Sequence, residues 1–257
     1  IETNAGDDVG NYSITDQGTT TANITAKTLT ATASASNKVY DGTTTAAVTL
    51  TFTGLVGDET LGQTVGATFA DKDVANAKTV TVNSITLSDD GDSGGLADNY
   101  SISTGQTTTA NITPKALTIG GITASNKTYN GNTTATIDVS AATFSGLVVG
   151  DDVTVSATGT FDNKNVGTGK TVTLVETNAG DDVGNYTITD QGSTTANITQ
   201  LSSVTWNGNA GDGLWSSASN WAGSAIPDQN NVATAVIPSD ESVTFDSDTV
   251  GTIGSTI

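Results

Sequence analysis

The chain has 257 residues, 8 Lys plus Arg against 27 Asp plus Glu, a formal net charge of -19, and neither Cys nor His. Disulfide staples, thiolate or imidazole catalysis and the commonest zinc, copper and haem ligands are therefore excluded. So large an excess of acid also excludes nucleic-acid binding, which needs a cationic face for phosphate, and gives no attraction to an anionic membrane surface. Thr fills 51 positions, and its β-branched side chain suits strands better than helices. No run approaches the roughly 18 apolar residues of a membrane helix, so no direct membrane insertion is expected. The chain lacks Met altogether, which reads as a processed product or a piece of a longer protein.

Residues 1–25 read IETNAGDDVGNYSITDQGTTTANIT and return at 175–199 with three changes, Ile/Val, Ser/Thr and Thr/Ser. A looser copy, LADNYSISTGQTTTANIT, occupies 96–113. The front of the unit repeats as well: Asn37-Lys38-Val39-Tyr40-Asp41-Gly42 answers to Asn126-Lys127-Thr128-Tyr129-Asn130-Gly131. GLVGDE at 54–59 answers to GLVVGDD at 146–152, with one extra Val, and Phe69 answers to Phe161. A repeat of this length suits a small independent domain rather than one solenoid rung. The expected organisation is a module tail at 1–26, full modules at 27–114 and 115–199, and a different segment at 200–257. The joints carry no flexible Gly/Ser tract, which predicts an extended, semi-rigid rod.

Within the first module, apolar residues alternate at Val48/Leu50/Phe52 and Val65/Ala67/Phe69. They continue at Val80/Val82 and then, one residue out of step, at Ile85/Leu87. Alternation predicts half-buried strands, and the slip at Asn83-Ser84 predicts a β-bulge. Short strands follow at Tyr100/Ile102 and Ala110/Ile112. The second module repeats the pattern at Ile137/Val139, Val153/Val155, Val172/Leu174, Tyr186/Ile188 and Ala196/Ile198. Asp-Gly and Asn-Gly pairs punctuate the strands, because these residues tolerate left-handed dihedrals. The fold class is all-β: tandem small β-sandwich-like modules, alternatively β-grasp-like or mixed, followed by a C-terminal β segment. In that segment, strands are expected over Val232 to Ile237 and Ser242 to Phe245.

These phrases, from Lys38-Val39-Tyr40-Asp41-Gly42-Thr43-Thr44 through Gly54-Leu55-Val56-Gly57-Asp58 to the closing Asn99-Tyr100 and Ala110-Asn111-Ile112-Thr113, resemble the YDG-type repeat domains of bacterial filamentous-haemagglutinin-like adhesins. The second module departs at the name motif, with Tyr129-Asn130-Gly131, where Asn still supports the turn. Trp206-Asn207-Gly208, Gly213-Leu214-Trp215, Asn220-Trp221 and Ile226-Pro227 resemble a phrase that opens β-solenoid or passenger-like regions of such proteins. The resemblance implies a secreted or cell-surface location and a stalk or spacer role in adhesion or biofilm formation, with the rest of a parent adhesin as partner. It brings no catalytic residues, and no enzymatic activity is expected.

Several residues are candidates for chemistry. Tyr12, Tyr40, Tyr100, Tyr129 and Tyr186 recur at corresponding points and read as core or corner rings with hydroxyls bonded to backbone. Acidic loops at Asp7, Asp8 and Asn11, at Asp181, Asp182 and Asn185, and at Asp89, Asp90, Asp92 and Asp98 are the metal candidates, for a structural calcium. Turn preference alone also accounts for them. Trp206, Trp215 and Trp221 are the candidate ligand contacts, for a polysaccharide or a host or neighbouring-cell surface, or else form a capping core. Lys27 and Lys115 start first strands at matching points and read as edge-strand gatekeepers rather than isopeptide-forming residues. Asn-x-Ser/Thr sequons at Asn11, Asn23, Asn99, Asn111, Asn126, Asn132, Asn185 and Asn197 are modification candidates.

Overall fold

The structure is a computed structural model, and it describes residues 3–15, 17–91, 94–228 and 230–246. Its regular secondary structure is nearly all strand. The first module supplies β1 (Lys27–Thr28), β2 (Thr30–Ala35), β3 (Lys38–Val39), β4 (Thr45–Ala46), β5 (Val48–Thr53), β6 (Leu61–Phe69), β7 (Ala75–Asp89), β8 (Tyr100–Ser101) and β9 (Thr107–Thr113). The second supplies β10 (Lys115–Gly120), β11 (Thr123–Ala124), β12 (Lys127–Thr128), β13 (Thr134–Ala135), β14 (Ile137–Asp138), β15 (Thr143–Ser145), β16 (Thr154–Phe161), β17 (Gly167–Ala179), β18 (Tyr186–Thr189) and β19 (Ser193–Thr199). After them come β20 (Val204–Thr205) and β21 (Ala235–Val236). The only helical pieces among the described residues are 3-10 turns of three residues.

Each module holds a five-stranded sheet, in the order β3-β9-β7-β6-β4 and β12-β19-β17-β16-β13. The repeat in sequence is thus a repeat in topology. Smaller sheets accompany each: β1-β8 and β2-β5 in the first, β15-β10-β18 and β11-β14 in the second. Most pairs are antiparallel, but β1–β8, β10–β18 and β12–β19 run parallel. The all-β class is as expected, and the pairing within each module is mixed, parallel as well as antiparallel. The reason is that each module's closing strands return beside its opening ones in the same direction.

The alternating pattern explains which faces are buried. Along β17 the burial runs with period two through Val172 and Leu174, while Thr171 and Thr173 face water. The expected bulge is present: Gly66 pairs with Ser84 and Ala67 with Val82, so Asn83 is the extra residue. Its amide donates to Thr68 Oγ1 at 2.9 Å, which uses the side chain that the bulge turns outward. Of the two strands expected in the last segment, only Ala235–Val236 forms, and Thr244 makes a single bridge to Leu214. Few alternating apolar residues are available there, so turns dominate.

The chain divides into two compact units. The first comprises Ile1–Lys38, Thr44–Asp71 and Asn76–Asn111. Its core gathers Leu29, Leu50, Phe69, Val80, Val82 and Tyr100. The second comprises Ile112–Ile257 together with two short segments, Val39–Thr43 and Lys72–Ala75. In it, residues of both sheets (Ile119, Phe161, Val172, Ile198) join Trp206, Trp215 and Trp221 in one buried cluster. The segment after residue 199 is therefore continuous in its core with the module before it.

Phe161 is 2% exposed in this cluster. Phe161→Ala is expected to cost the second unit about 3–5 kcal/mol, the usual range for emptying a buried aromatic position. Denaturant unfolding followed by fluorescence of the three clustered tryptophans measures it.

Candidate functional site

The densest polar constellation lies in the second unit, around Asp151. The turn Val148–Asp151 closes with the Asp151 amide donating to the Val148 carbonyl at 3.1 Å. That turn points the Asp151 carboxylate inward, leaving the side chain 4% exposed. A carboxylate so far from water needs several donors to stay ionised. It has three. Tyr186 donates to Oδ2 at 2.5 Å, Tyr40 to the same oxygen at 2.8 Å, and Lys72 Nζ to Oδ1 at 3.1 Å. Lys72 also reaches Asp182 at 2.6 Å. The Tyr40 and Tyr186 rings meet edge to face, 5.5 Å between centroids, a favoured quadrupolar arrangement.

Neighbouring contacts use backbone. Tyr186 Oη accepts from the Val148 amide at 3.0 Å, and Asn185 Oδ1 accepts from the Val74 amide at 2.8 Å. Asn185 Nδ2 donates to Asp73 at 3.3 Å, and Asn185 is 5% exposed. Gly42 has φ 77°, and a Cβ there would come within 2.7 Å of Val148 Cγ1. Glycine adopts that turn without strain and leaves room for the Val148 side chain. Two pieces of the first repeat's sequence, the Tyr40–Gly42 turn and the Lys72–Val74 loop, are thereby seated on the body of the second repeat within one unit.

The same pattern recurs between the second repeat and the segment after it. Tyr129 Oη donates to the Ile226 carbonyl at 3.3 Å, and Gly131 lies against Ser224 and Ala225. Asn231 Oδ1 accepts from the Val166 amide at 2.7 Å and its Nδ2 donates to Asn165 at 3.2 Å. Asn231 stands to Val166 and Asn165 as Asn185 stands to Val74 and Asp73.

Electrostatics follow from this geometry. Burial raises the Asp151 pKa, but hydrogen bonds from Tyr186, Tyr40 and Lys72 outweigh it and hold the carboxyl below its ordinary value. Asp182 is lowered chiefly by Lys72. Lys72 is pushed well above the usual lysine value by Asp182, Tyr40 and Asp151. Burial, then the Asp151 hydrogen bond, pushes Tyr186 up to about 12. These groups are arranged to stay in fixed charge states around neutral pH, which suits a structural joint and not proton transfer.

The recurring tyrosines are core residues at four of the five positions: Tyr40, Tyr100, Tyr129 and Tyr186 are buried, whereas Tyr12 is 73% exposed. Three of these four hydroxyls bond backbone as expected, Tyr100 and Tyr186 accepting from the Val56 and Val148 amides and Tyr129 donating to the Ile226 carbonyl, but most of their protons go to carboxylates. Only Tyr129 donates to a carbonyl; Tyr40 and Tyr186 donate to Asp151, and Tyr100 to Glu59. Trp206, Trp215 and Trp221 are 2%, 2% and 1% exposed. Their rings pack edge to face, and Trp215 and Trp221 donate to the carbonyls of Pro227 and Trp215. Here they fill the core, and a sugar would reach their faces only if the segment opened.

Among the described residues, no group of three or more acidic side chains is placed to hold a metal ion. Asp182 is held by Lys72, Asp89 accepts from the Ala97 amide, and Asp90 accepts from Thr60; Asp92 lies outside the described residues. Lys27 and Lys115 open β1 and β10 beside Tyr100 and Tyr186. Several sequon asparagines hold backbone instead: Asn111 accepts from Ala77, and Asn197 from Gly169. Lys72, Asp151 and Asn231 escaped the sequence reading, because the partners that give them their place lie 35 to 111 residues away. The signal available was the recurrence of Lys72-Asp73-Val74 as Lys164-Asn165-Val166.

Residues 25–110 and 113–196 each match the YDG domain. The chain belongs to the YDG-domain family. No curated protein and no solved structure matches it. The two YDG copies coincide with the two five-stranded sheets, and the Asp151 constellation draws on both copies' sequences.

The acid limb of stability should report on this carboxylate. A depressed carboxyl pKa contributes stability that is complete above the unfolded value of about 3.9 and vanishes as pH falls through the folded value. Asp151→Asn is expected to cost the second unit about 2 kcal/mol at pH 7, the scale of hydrogen bonds to a charged group. The gap to the unmodified protein should close as pH drops below about 4. Urea unfolding at pH 7 and pH 3 checks this; an equal loss at both would remove the charge from the explanation.

Proposed function

We propose that this chain is a structural stalk or spacer region of a large secreted bacterial surface adhesin, serving cell adhesion or biofilm formation. The observation that carries the reading is the use made of its best polar chemistry. Tyr40, Lys72, Asp151, Asp182 and Tyr186 satisfy one another, and Asn185 and Asn231 hold backbone amides. A binding or catalytic site would instead leave convergent polar groups lining an accessible pocket. Repeated modules whose polar residues tie one sequence repeat to the next suit the holding of distance and direction under load. The acidic composition suits solubility outside the cell.

The measurement is binding of the full chain to a panel of bacterial exopolysaccharides and host glycans, at physiological salt with and without calcium. No saturable binding is expected under either condition. Saturable binding abolished by Trp215→Ala would replace the spacer reading with direct carbohydrate recognition through the 200–257 segment.

A further inference from the structure

We infer that the first unit carries an open socket for another YDG module, built to receive that module's Tyr-x-Gly turn and its Lys-x-Val loop. The inference concerns how modules join and does not depend on the adhesin reading.

The second unit shows what a filled socket contains. A four-residue turn starts at Val148 and ends in an acid, Asp151; a tyrosine, Tyr186, bridges the acid and the Val148 amide; an asparagine, Asn185, precedes that tyrosine. Into this sit Tyr40, Gly42, Lys72, Asp73 and Val74. The first unit repeats the turn, its closing acid, the tyrosine and the asparagine, with Leu96 at the position of Asp182. Val56 starts a turn closed by the Glu59 amide on the Val56 carbonyl at 3.1 Å. Tyr100 donates to Glu59 and accepts from the Val56 amide at 3.0 Å. Asn99 precedes Tyr100.

What differs is the occupant. Asn185 is buried, with two side-chain hydrogen bonds. Asn99 is exposed, and no side-chain hydrogen bond is found for it among the described residues. A cavity of about 420 Å³ lies at this point, lined by Val56, Glu59, Asn99 and Tyr100 and by the joint residues Ala26 and Lys27. Val56 is 53% exposed.

The occupant can be named from the chain itself. Both of its own plugs are already seated in the second unit, Tyr40 on Asp151 and Tyr129 on Ile226. A second copy of this chain in the same fold has no plug to offer. Residues 1–25, by contrast, duplicate the closing segment of a module in sequence, but none of the described residues among them is buried. Tyr12 is 73% and Ile24 100% exposed, whereas their counterparts Tyr186 and Ile198 are 7% and 1% exposed. The structure assigns the socket to the module that this closing segment completes. That module's tyrosine would donate to Glu59 as Tyr40 does to Asp151.

The sequence provides the test. Because 1–25 and 175–199 differ at three positions, a copy of residues 115–174 placed directly before Ile1 of the full chain builds one whole extra module. Asn99→Ala is then compared in the extended and the unextended protein by denaturant unfolding. In the unextended chain it should change nothing measurable. In the extended chain it should raise the unfolding constant of the first unit roughly ten-fold or more, as losing two formed hydrogen bonds does. Equal effects in both proteins overturn the inference.

A second readout is covalent and uses the absence of native Cys. A Cβ at Gly42 would lie 3.9 Å from Val148 Cβ, within the roughly 3.5–4.5 Å that a disulfide spans. Gly42→Cys with Val148→Cys in the unextended chain is the reference pair. Val56→Cys with Gly131→Cys of the added copy is the test pair. Bridging of the test pair under mild oxidation supports the socket. A test pair that stays reduced while the reference pair bridges refutes it.

Discussion

A carboxylate with almost no access to water governs the second unit. Asp151 could lie there neutral, or ionised with enough donors to replace its hydration, and the fold supplies the donors. They come from three places far apart in sequence: Tyr186, 35 residues on; Lys72, 79 residues back; and Tyr40, 111 residues back. None of these side chains can leave without stranding a buried charge. The segments that carry them, Val39–Thr43 and Lys72–Ala75, are thus held in the second unit although the rest of their repeat clusters elsewhere. Hydrophobic burial could not have done this as selectively, since the two segments are short and Asp41, Gly42, Thr43, Lys72 and Asp73 make up most of them.

The modules themselves stand on a different force. Period-two burial of Val, Leu, Ile and Phe against exposed Thr builds the five-stranded sheets. Lys38 over Phe69 and Lys127 over Phe161, 5.6 and 5.4 Å from the ring centroids, show the same cation covering the same ring in each copy. The aliphatic stem shields the ring, while the Lys127 ammonium is held by Asn132 and the Thr134 carbonyl. The last segment has too few alternating apolar residues for long strands. It obtains its core from three tryptophans merged with that of the preceding module, which gives a small segment burial that it lacks alone.

Strands and core were legible because their cause is local. A reader of Val80, Val82, Ile85 and Leu87 can see both the strand and the slip, and the bulge falls at Asn83 as that slip demands. The tyrosines were legible as core residues for the same reason, repetition at fixed points. Their hydroxyl partners were not legible, since choosing a carboxylate over a carbonyl depends on where a turn 35 to 111 residues away presents its acid. Parallel pairing of β10 with β18 was hidden likewise, because alternation specifies a face and says nothing of direction. The acidic loops admit more than one reading in the sequence for a physical reason. A chain with 27 acids offers many close pairs, and here Lys72 and backbone amides claim the ones best placed to matter.

One comparison shows why residue-by-residue matching of the repeats falls short. Matched as text, GLVGDE and GLVVGDD set Asp58 against Asp151 and treat one Val as an insertion. Matched by the hydrogen bond that closes each turn, Val56 and Val148 are first and Glu59 and Asp151 are fourth. The extra Val therefore shifts which acid reaches the closing position. The turn tolerates either sequence because its second and third residues face solvent, Gly57 and Asp58 in one copy and Val149 and Gly150 in the other. What must be kept is an acid at the fourth place, since the tyrosine that bonds the first residue's amide needs an acceptor for its own proton. Glu59 meets that need with one methylene more than Asp151. The difference in reach is what a socket can absorb when its side chain lies nearer to water.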